Sequence, residues 1–234
     1  MSRRDLVRRR AAGYHLLVFR TLIAFRGPRV PDSRTDTELA DLLRRALVDQ
    51  DREAFDRLFE SQRGRLEILL QSRIPRAARA RIGVDDIIQE TYTRAFQRFR
   101  RIPDVTPEVF RRWIVHIAMR ELKRVFERNF AAAKRDVRAE QHVDSLSVLG
   151  TPSSGTPSSL AGRRESAAIL IEVLEDLPKD YREVILLRDF EGHTSAMIAQ
   201  RMGRTAASVD VLYHRALIKL NERLCARGLS ASKY

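Results

Sequence analysis

The segment Thr194–Leu224 constrains the fold most, because it predicts a short helix, a tight turn and a long second helix. Thr194 and Thr205 each precede a helical pattern, and a threonine hydroxyl there accepts from the free N–H groups of a first turn. Gly203 supplies a sharp turn that a side chain would oppose. Apolar residues at three- and four-residue spacing give both helices a buried face: Ile198, Ala199, Met202, Val209, Leu212, Ala216, Leu220 and Leu224.

This pattern is typical of a helix-turn-helix, whose second helix lies in the major groove of DNA. A helical hairpin that only builds a core shares the pattern. The outward face of the second helix favours DNA, because it begins with small residues and continues with basic ones. Asp210 is either an acceptor for a cytosine amino group or a solvated residue. The candidate contacts are Thr205, Ala206, Ala207, Ser208, Asp210, Val211, His214, Arg215 and Lys219.

Composition favours a polyanionic partner, since the 234 residues carry a net charge of +13. The single cysteine, Cys225, excludes an internal disulfide and a cysteine-cluster metal site and fits a reducing cytoplasm. No apolar run is long enough to span a bilayer, so stable membrane insertion is not expected. Long segments with a 3.6-residue period fill the chain without a clear strand pattern, which predicts an all-α fold.

Residues 1–34 form a basic extension with nine arginines and two aspartates. Its apolar run Tyr14–Phe25 is too short for a transmembrane helix and lacks a small-residue cleavage site after it. Two interpretations remain: a basic arm that contacts nucleic acid or lipid headgroups, or a start codon placed upstream of the true one.

Residues 35–135 predict a first helical domain. Helices are expected over Asp36–Val48 and Arg52–Arg73, followed by a basic loop over Ala77–Gly83 and a helix from Val84. The helix from Val84 has one apolar side and one polar side. Solvation is the usual explanation of a polar face, but acidic residues stand out in so basic a chain. A basic or amide-rich partner protein is therefore considered for the face with Asp85, Asp86, Gln89, Glu90 and Arg94.

A long helix from Glu108 to about Arg135 follows the proline-containing loop 100–109. It carries eight cations and three acids, which is more positive charge than solubility requires. A stripe of this kind is typical of a surface that contacts phosphates. Its core face is predicted at Phe110, Trp113, Ile114, Ile117, Leu122, Val125 and Phe126.

Residues 136–163 predict a flexible linker, because the run GTPSSGTPSS has no apolar residue. A second helical domain, 164–228, contains two helices before the helix-turn-helix, and 229–234 form a tail. The fold predicted is therefore two small helical domains, an N-terminal bundle and a C-terminal four-helix domain, that move independently.

These segments resemble a known family. The run LPKDYREVILLRDFEGHTSAMIAQRMGRTAASVDVLYHRALIKL is similar to the DNA-binding end of a bacterial RNA polymerase sigma factor of the extracytoplasmic-function (ECF) type. The runs FDRLFESQRGRLEILL, DDIIQETYTRAF and FRRWIVHIA are similar to the N-terminal domain of the same family. The resemblance covers residues 36–135 and 165–227.

The resemblance implies a role for each surface. The polar face Asp85, Asp86, Gln89, Glu90 and Arg94 matches the segment that binds the clamp helices of the polymerase's largest subunit. The loop 100–109 matches the segment that captures a flipped base of the melted −10 element. Single- and double-stranded −10 DNA is assigned to Arg101, Arg112, Arg120, Lys123, Arg124 and Arg128. The helix from Thr205 matches the reader of the −35 element.

The partners implied are core RNA polymerase, at its clamp helices and flap, and promoter DNA, with an anti-sigma protein as a further candidate. The family acts in the bacterial cytoplasm on the nucleoid, without catalysis or cofactors. The alternative is a stand-alone helix-turn-helix regulator with an N-terminal interaction domain, which leaves DDIIQETYTRAF and FRRWIVHIA unexplained. An enzyme finds little support, since no phosphate loop, metal cluster or nucleophile–base spacing occurs in the sequence.

Overall fold

The computed structural model describes residues 33–99, 102, 105–135 and 157–229, and the regular elements in these ranges are all helical, so the all-α prediction is confirmed. The N-terminal domain holds four α-helices: α1 (Ser33–Leu47), α2 (Arg52–Arg73), α3 (Val84–Phe99) and α4 (Pro107–Arg135). The C-terminal domain holds α5 (Pro157–Asp176), α6 (Lys179–Ile185), α7 (Ser195–Met202) and α8 (Ala206–Ala226). A π-helical turn over Leu186–Phe190 continues α6.

Helix α2 is the centre of the N-terminal domain and packs against α1, α3 and α4. Asp51 caps its first turn by accepting from Ala54 N at 3.1 Å. Its predicted apolar stripe is buried in full: Phe55, Leu58, Phe59, Leu66, Leu69 and Leu70. Phe55 is the hub of an aromatic cluster, with ring centroids 5.0–6.5 Å from those of Tyr92, Phe96, Phe99 and Phe110. Aromatic pairs at such distances bury large apolar areas, and this packing fixes α3 and α4 on α2.

The predicted loop Ala77–Gly83 is wrong, because Arg76–Arg81 form a 3₁₀ helix. Pro75 presets the backbone at φ −55°, and its carbonyl accepts from Ala78 N at 2.8 Å, which closes a tight turn. Arg79 also donates to the carbonyl of Gln71 at 2.8 Å. A second difference lies in α5, which begins at Pro157 within the range assigned to the linker. Proline is favoured at the first helical position, where its missing N–H has no role.

The helix-turn-helix has the geometry that the sequence predicts. The hydroxyl of Thr194 accepts from Met197 N at 3.3 Å, and that of Thr205 accepts from Ser208 N at 3.2 Å. Gly203 adopts the left-handed conformation, with φ 62° and ψ 38°, and ends α7. The predicted inward residues of both helices are buried, except Met202 and Leu212, which are half-buried against the core.

The two domains contact each other through a surface defined here as the domain junction: Arg65 and Arg73 of α2 and Arg79 with their acceptors in the C-terminal domain. Arg65 donates to the carbonyls of Asp189 and Phe190, the latter at 3.0 Å. Arg73 pairs with Glu183 at 2.5 Å and with Glu191 at 3.0 Å, and Arg79 pairs with Glu175. From the sequence we expected two domains that move independently. The polar contacts between the domains were not predicted, because an apolar periodicity reveals only the buried face of each helix.

Gly192 is a further close approach at this junction. Its φ of 72° is left-handed, and a Cβ at this position would lie 2.9 Å from Cγ of Arg112. Both the backbone and the space therefore require glycine here.

Candidate functional site

The polar face of α3 is exposed, as its pattern predicts. Ile87, Ile88, Thr91 and Ala95 are buried on the opposite side, which turns Asp85, Asp86 and Gln89 outward. Asp85 and Asp86 lie in the first turn, where the helix dipole favours negative charge. A solvent-facing acidic and amide surface therefore stands on a rigid helix.

Two contacts order the beginning of this face. Arg63 of α2 donates to Asp85 at 3.0 Å, which connects the start of α3 to α2. Asp86 lies over Gly83, where a Cβ would come within 2.6 Å of Asp86 Oδ2. Gly83 therefore leaves the space that the Asp86 carboxylate occupies, a role that the sequence analysis missed because glycine carries no periodic signal.

Arg94 lies at the other end of the polar face and is held by two acids. Its guanidinium is 2.7 Å from Glu90 and 2.9 Å from Glu121 of α4. Glu121 has a side chain only 4% exposed and also accepts from Arg124 at 2.8 Å. The last predicted residue of the α3 face is thus connected to a predicted DNA-binding residue of α4.

The basic face of α4 is exposed over two turns. Arg120, Lys123, Arg124 and Arg128 all reach solvent, and Lys123 lies 3.6 Å from an exposed partner, Glu127. Arg112 differs from them, since its aliphatic stem packs beside Gly192 at the domain junction. Arg101 lies outside the described residues. The structure thus brings four of the six predicted −10 residues together on one face.

The outer face of α8 is open at its N-terminal end. Thr205, Ala206, Ala207, Ser208 and Val211 are exposed, and Val211 is 53% exposed although it is apolar. Farther along the helix, His214 is half-buried, Arg215 is exposed and Lys219 pairs with Glu222 at 2.9 Å. Small residues at the helix start allow a close approach to base edges, and cations farther along suit phosphates.

Asp210 is paired within the chain through one carboxylate oxygen, and its side chain is 55% exposed. Ser195 of α7 and Arg188 of the π-helical turn both donate to its Oδ1 at 2.7 Å. Burial raises the pKa of Asp210, but the two hydrogen bonds outweigh that effect and hold the pKa below its usual range. Asp210 therefore holds α7 and the π-helical turn against α8, and the exposure of its side chain is compatible with either sequence interpretation of this residue.

A second acid, Asp189, is bonded to the buried face of α8. Tyr213 donates to Asp189 Oδ1 at 2.6 Å, and the guanidinium of Arg188 lies 4.5 Å from the centre of the Tyr213 ring. Burial raises the pKa of Asp189 to about 6, against the opposing effects of Tyr213, Arg65 and Arg188. Burial also lowers the pKa of Arg65 to about 10. Asp189 and Arg65 therefore have little contact with solvent at the place where the domain junction meets α8.

Asp189, Tyr213 and Glu121 were not predicted from the sequence as structural residues of these surfaces. Tyr213 lies four residues after Val209 and three before Ala216, so the helical spacing places it on the buried face. No comparable signal marks Asp189 or Glu121, since a single acid in a helix is usually solvated.

No helix among the described residues is long and apolar enough to cross a membrane. In the same ranges, no group of three or more His, Cys, Asp or Glu side chains is arranged to hold a metal ion.

The chain is similar to known proteins in two ways. A family model matches part of the C-terminal domain, and whole relatives match over more than half of the chain. The family model "Sigma-70, region 4" matches residues 167–220, which include α6, the π-helical turn and α7 with the second half of α5 and most of α8. "ECF RNA polymerase sigma factor SigD" of Mycobacterium tuberculosis is 27% identical over 198 residues, which cover 85% of this chain and 90% of that protein. "Probable RNA polymerase sigma factor RfaY" of Xanthomonas campestris is 27% identical over 144 residues, and the match covers 61% of this chain but about a third of that protein.

Among solved structures, the chain is similar to "Structure of CnrH in complex with the cytosolic domain of CnrY". The match covers 82% of this chain and 97% of that one, at 20% identity and a TM-score of 0.37.

Proposed function

We propose a division of roles among three surfaces of this chain. The chain belongs to the extracytoplasmic-function group of the sigma-70 family and serves promoter recognition as a sigma factor. The polar face of α3 binds core RNA polymerase at its clamp helices, and the C-terminal domain meets the flap. The basic face of α4 binds the −10 element, and the N-terminal turns of α8 read the −35 element. The protein acts on the nucleoid as a non-catalytic subunit.

The open, N-capped start of α8 is the observation that carries the proposal. Its first residues are exposed and small, its axis is held by Asp210 and Tyr213, and it lies within the region that matches sigma-70 region 4. A recognition helix needs such a combination, because base contacts depend on a fixed helix position.

The proposal for α4 is supported by its exposed cations. A base that leaves the duplex loses its stacking and pairing at a cost of a few kcal/mol, so nearby phosphate contacts are needed to offset that cost. Arg120, Lys123, Arg124 and Arg128 supply them on one face. Residues 100, 101, 103 and 104 of the loop 100–109 that would hold the base lie outside the described residues. The role of this loop stays a prediction, as does an anti-sigma partner.

The salt dependence of DNA binding tests the two DNA surfaces. Each phosphate contact contributes about −0.9 to the slope of log affinity against log salt, so Arg215→Ala and Arg124→Ala should each make the slope shallower by about 1. Arg57→Ala is the matched control, because Arg57 is exposed on α2 and pairs only locally with Glu53. Slopes that stay unchanged in both variants would contradict the assignment.

Base reading is tested separately with Val211→Ala. Val211 offers apolar contact, so the substitution should change which −35 sequence is preferred in a competition assay while the salt slope stays constant. Equal loss on all sequences would mean that Val211 does not read bases.

A further inference from the structure

Glu121 is a buried acid that belongs to none of the three proposed surfaces, yet it contacts two of them. It lies on α4, and its side chain is 4% exposed. A buried carboxylate is costly unless cations and hydrogen bonds satisfy it. Its partners therefore indicate why it is present.

Both cations approach one oxygen of Glu121. Nε of Arg94 is 2.9 Å from Oε1, and Nη1 of Arg124 donates to the same Oε1 at 2.8 Å. Arg94 comes from α3 and also pairs with Glu90, whereas Arg124 is one turn farther along α4. Two guanidinium groups this close repel each other, and the shared carboxylate offsets that repulsion.

The arrangement leaves donors available outside the pair. A guanidinium has five N–H donors in a rigid plane, so each arginine can keep Glu121 and still present other donors. The side chain of Arg124 is 46% exposed and that of Arg94 is 29% exposed, so both reach solvent while they are paired with Glu121.

We propose that Glu121 is a positioning residue, which holds Arg94 on the polymerase-facing side and Arg124 on the DNA-facing side in one fixed relation. This inference rests on the proposed function, since it assumes that α3 meets core polymerase and α4 meets the −10 element. Glu121 itself touches neither partner and acts through the two arginines.

The test uses Glu121→Gln in the full chain, assembled with core RNA polymerase. Glutamine keeps the size of the side chain but removes its charge. We expect about tenfold weaker binding to core polymerase and to −10 DNA, because each arginine loses the negative charge that holds it in place. The salt slope for −10 DNA should fall by about 1, and Arg124→Ala added to Glu121→Gln should lower it no further.

Glu127→Gln is the matched control. It removes the same charge from the same helix, but Glu127 is 62% exposed and its ion pair in the described part of the chain is with exposed Lys123. It should leave both affinities and the slope as in the wild type. Thermal unfolding of each variant shows whether the chain is folded at the assay temperature.

Three results would overturn the inference. Tighter DNA binding by Glu121→Gln would mean that Glu121 only repels phosphates. A lower active fraction with an unchanged salt slope would mean that its role is confined to folding. Weakening of only one of the two affinities would mean that Glu121 does not link the surfaces. Failure of the proposed function is distinguishable, because the wild-type chain would then fail to bind core polymerase at all.

Discussion

At the scale of single residues, two acids hold α8 through partners within the chain. Asp210 accepts from Ser195 and Arg188, and Asp189 accepts from Tyr213. A short polar residue on a helix gives the same sequence signal whether its carboxylate faces water, DNA or a neighbouring helix. The position of Asp210 on α8 was therefore predictable, whereas its internal partners were not.

Asp189 makes stability depend on pH. Its pKa is raised to about 6 by burial, while an unfolded aspartate has a pKa of about 3.9. Between these values the native state holds more protons than the unfolded state, so this residue's contribution to stability falls as pH rises from about 4 to about 6.

Asp189→Asn should remove that dependence, because asparagine accepts from Tyr213 without carrying charge. Each pKa unit corresponds to about 1.4 kcal/mol, so the variant should gain up to about 3 kcal/mol over the wild type at pH 7 and little at pH 4. Denaturant unfolding across this range measures the difference, with exposed Asp41→Asn as the control. A destabilisation that is constant with pH would contradict the account.

At the scale of elements, the recognition helix is fixed by packing and by two polar contacts. Val209, Ala216, Leu220 and Leu224 bury one side of α8, and this face was predicted from spacing alone. The caps Thr194 and Thr205 and the turn at Gly203 were also predicted, because their chemistry is local in sequence. The π-helical turn Leu186–Phe190 was not, since the apolar spacing of so short a segment does not distinguish a π-helical turn from an α-helical one.

Tyr213→Phe tests how the π-helical turn holds α8. The substitution keeps the ring but removes the donor to Asp189, whose Oδ2 is buried without a hydrogen-bond partner among the described residues. We expect a loss of about 1–3 kcal/mol in unfolding free energy and weaker −35 binding at an unchanged salt slope. Tyr181→Phe, at a half-buried tyrosine of α6, is the control. Unchanged stability would show that the contact does not hold the helix.

At the scale of the whole molecule, the domain junction holds the two domains closer together than the two promoter elements lie on DNA. Domains of about 100 residues have radii of gyration near 13 Å, so two packed domains lie roughly 30 Å apart. The −10 and −35 elements are about 25 base pairs apart, or about 85 Å at 3.4 Å per pair. The domains are therefore expected to separate when both elements are bound.

Energy transfer between two dyes tests this separation, and Cys225 provides one site because it is exposed and the sequence has no other cysteine. An Arg57→Cys substitution provides the second site on α2. The free chain should show high transfer, and the promoter-bound holoenzyme should show low transfer. Arg73→Glu should lower transfer in the free chain, since it breaks the pairs with Glu183 and Glu191. Equal transfer in the free and bound states would contradict the expected opening.

Binding to core RNA polymerase tests the central claim most directly. The measurement is the affinity of the full chain for core polymerase beside the Asp86→Ala, Gln89→Ala double variant, whose side chains are exposed on α3. Glu127→Ala, Asn129→Ala removes one acid and one amide from exposed positions of α4, which is assigned to no contact with the polymerase, and is the matched control. We expect the wild type and the control to bind core polymerase and the α3 variant to lose most of its affinity. If none of the three binds while the wild type still binds DNA, the N-terminal domain has another role and the account of α3 is wrong.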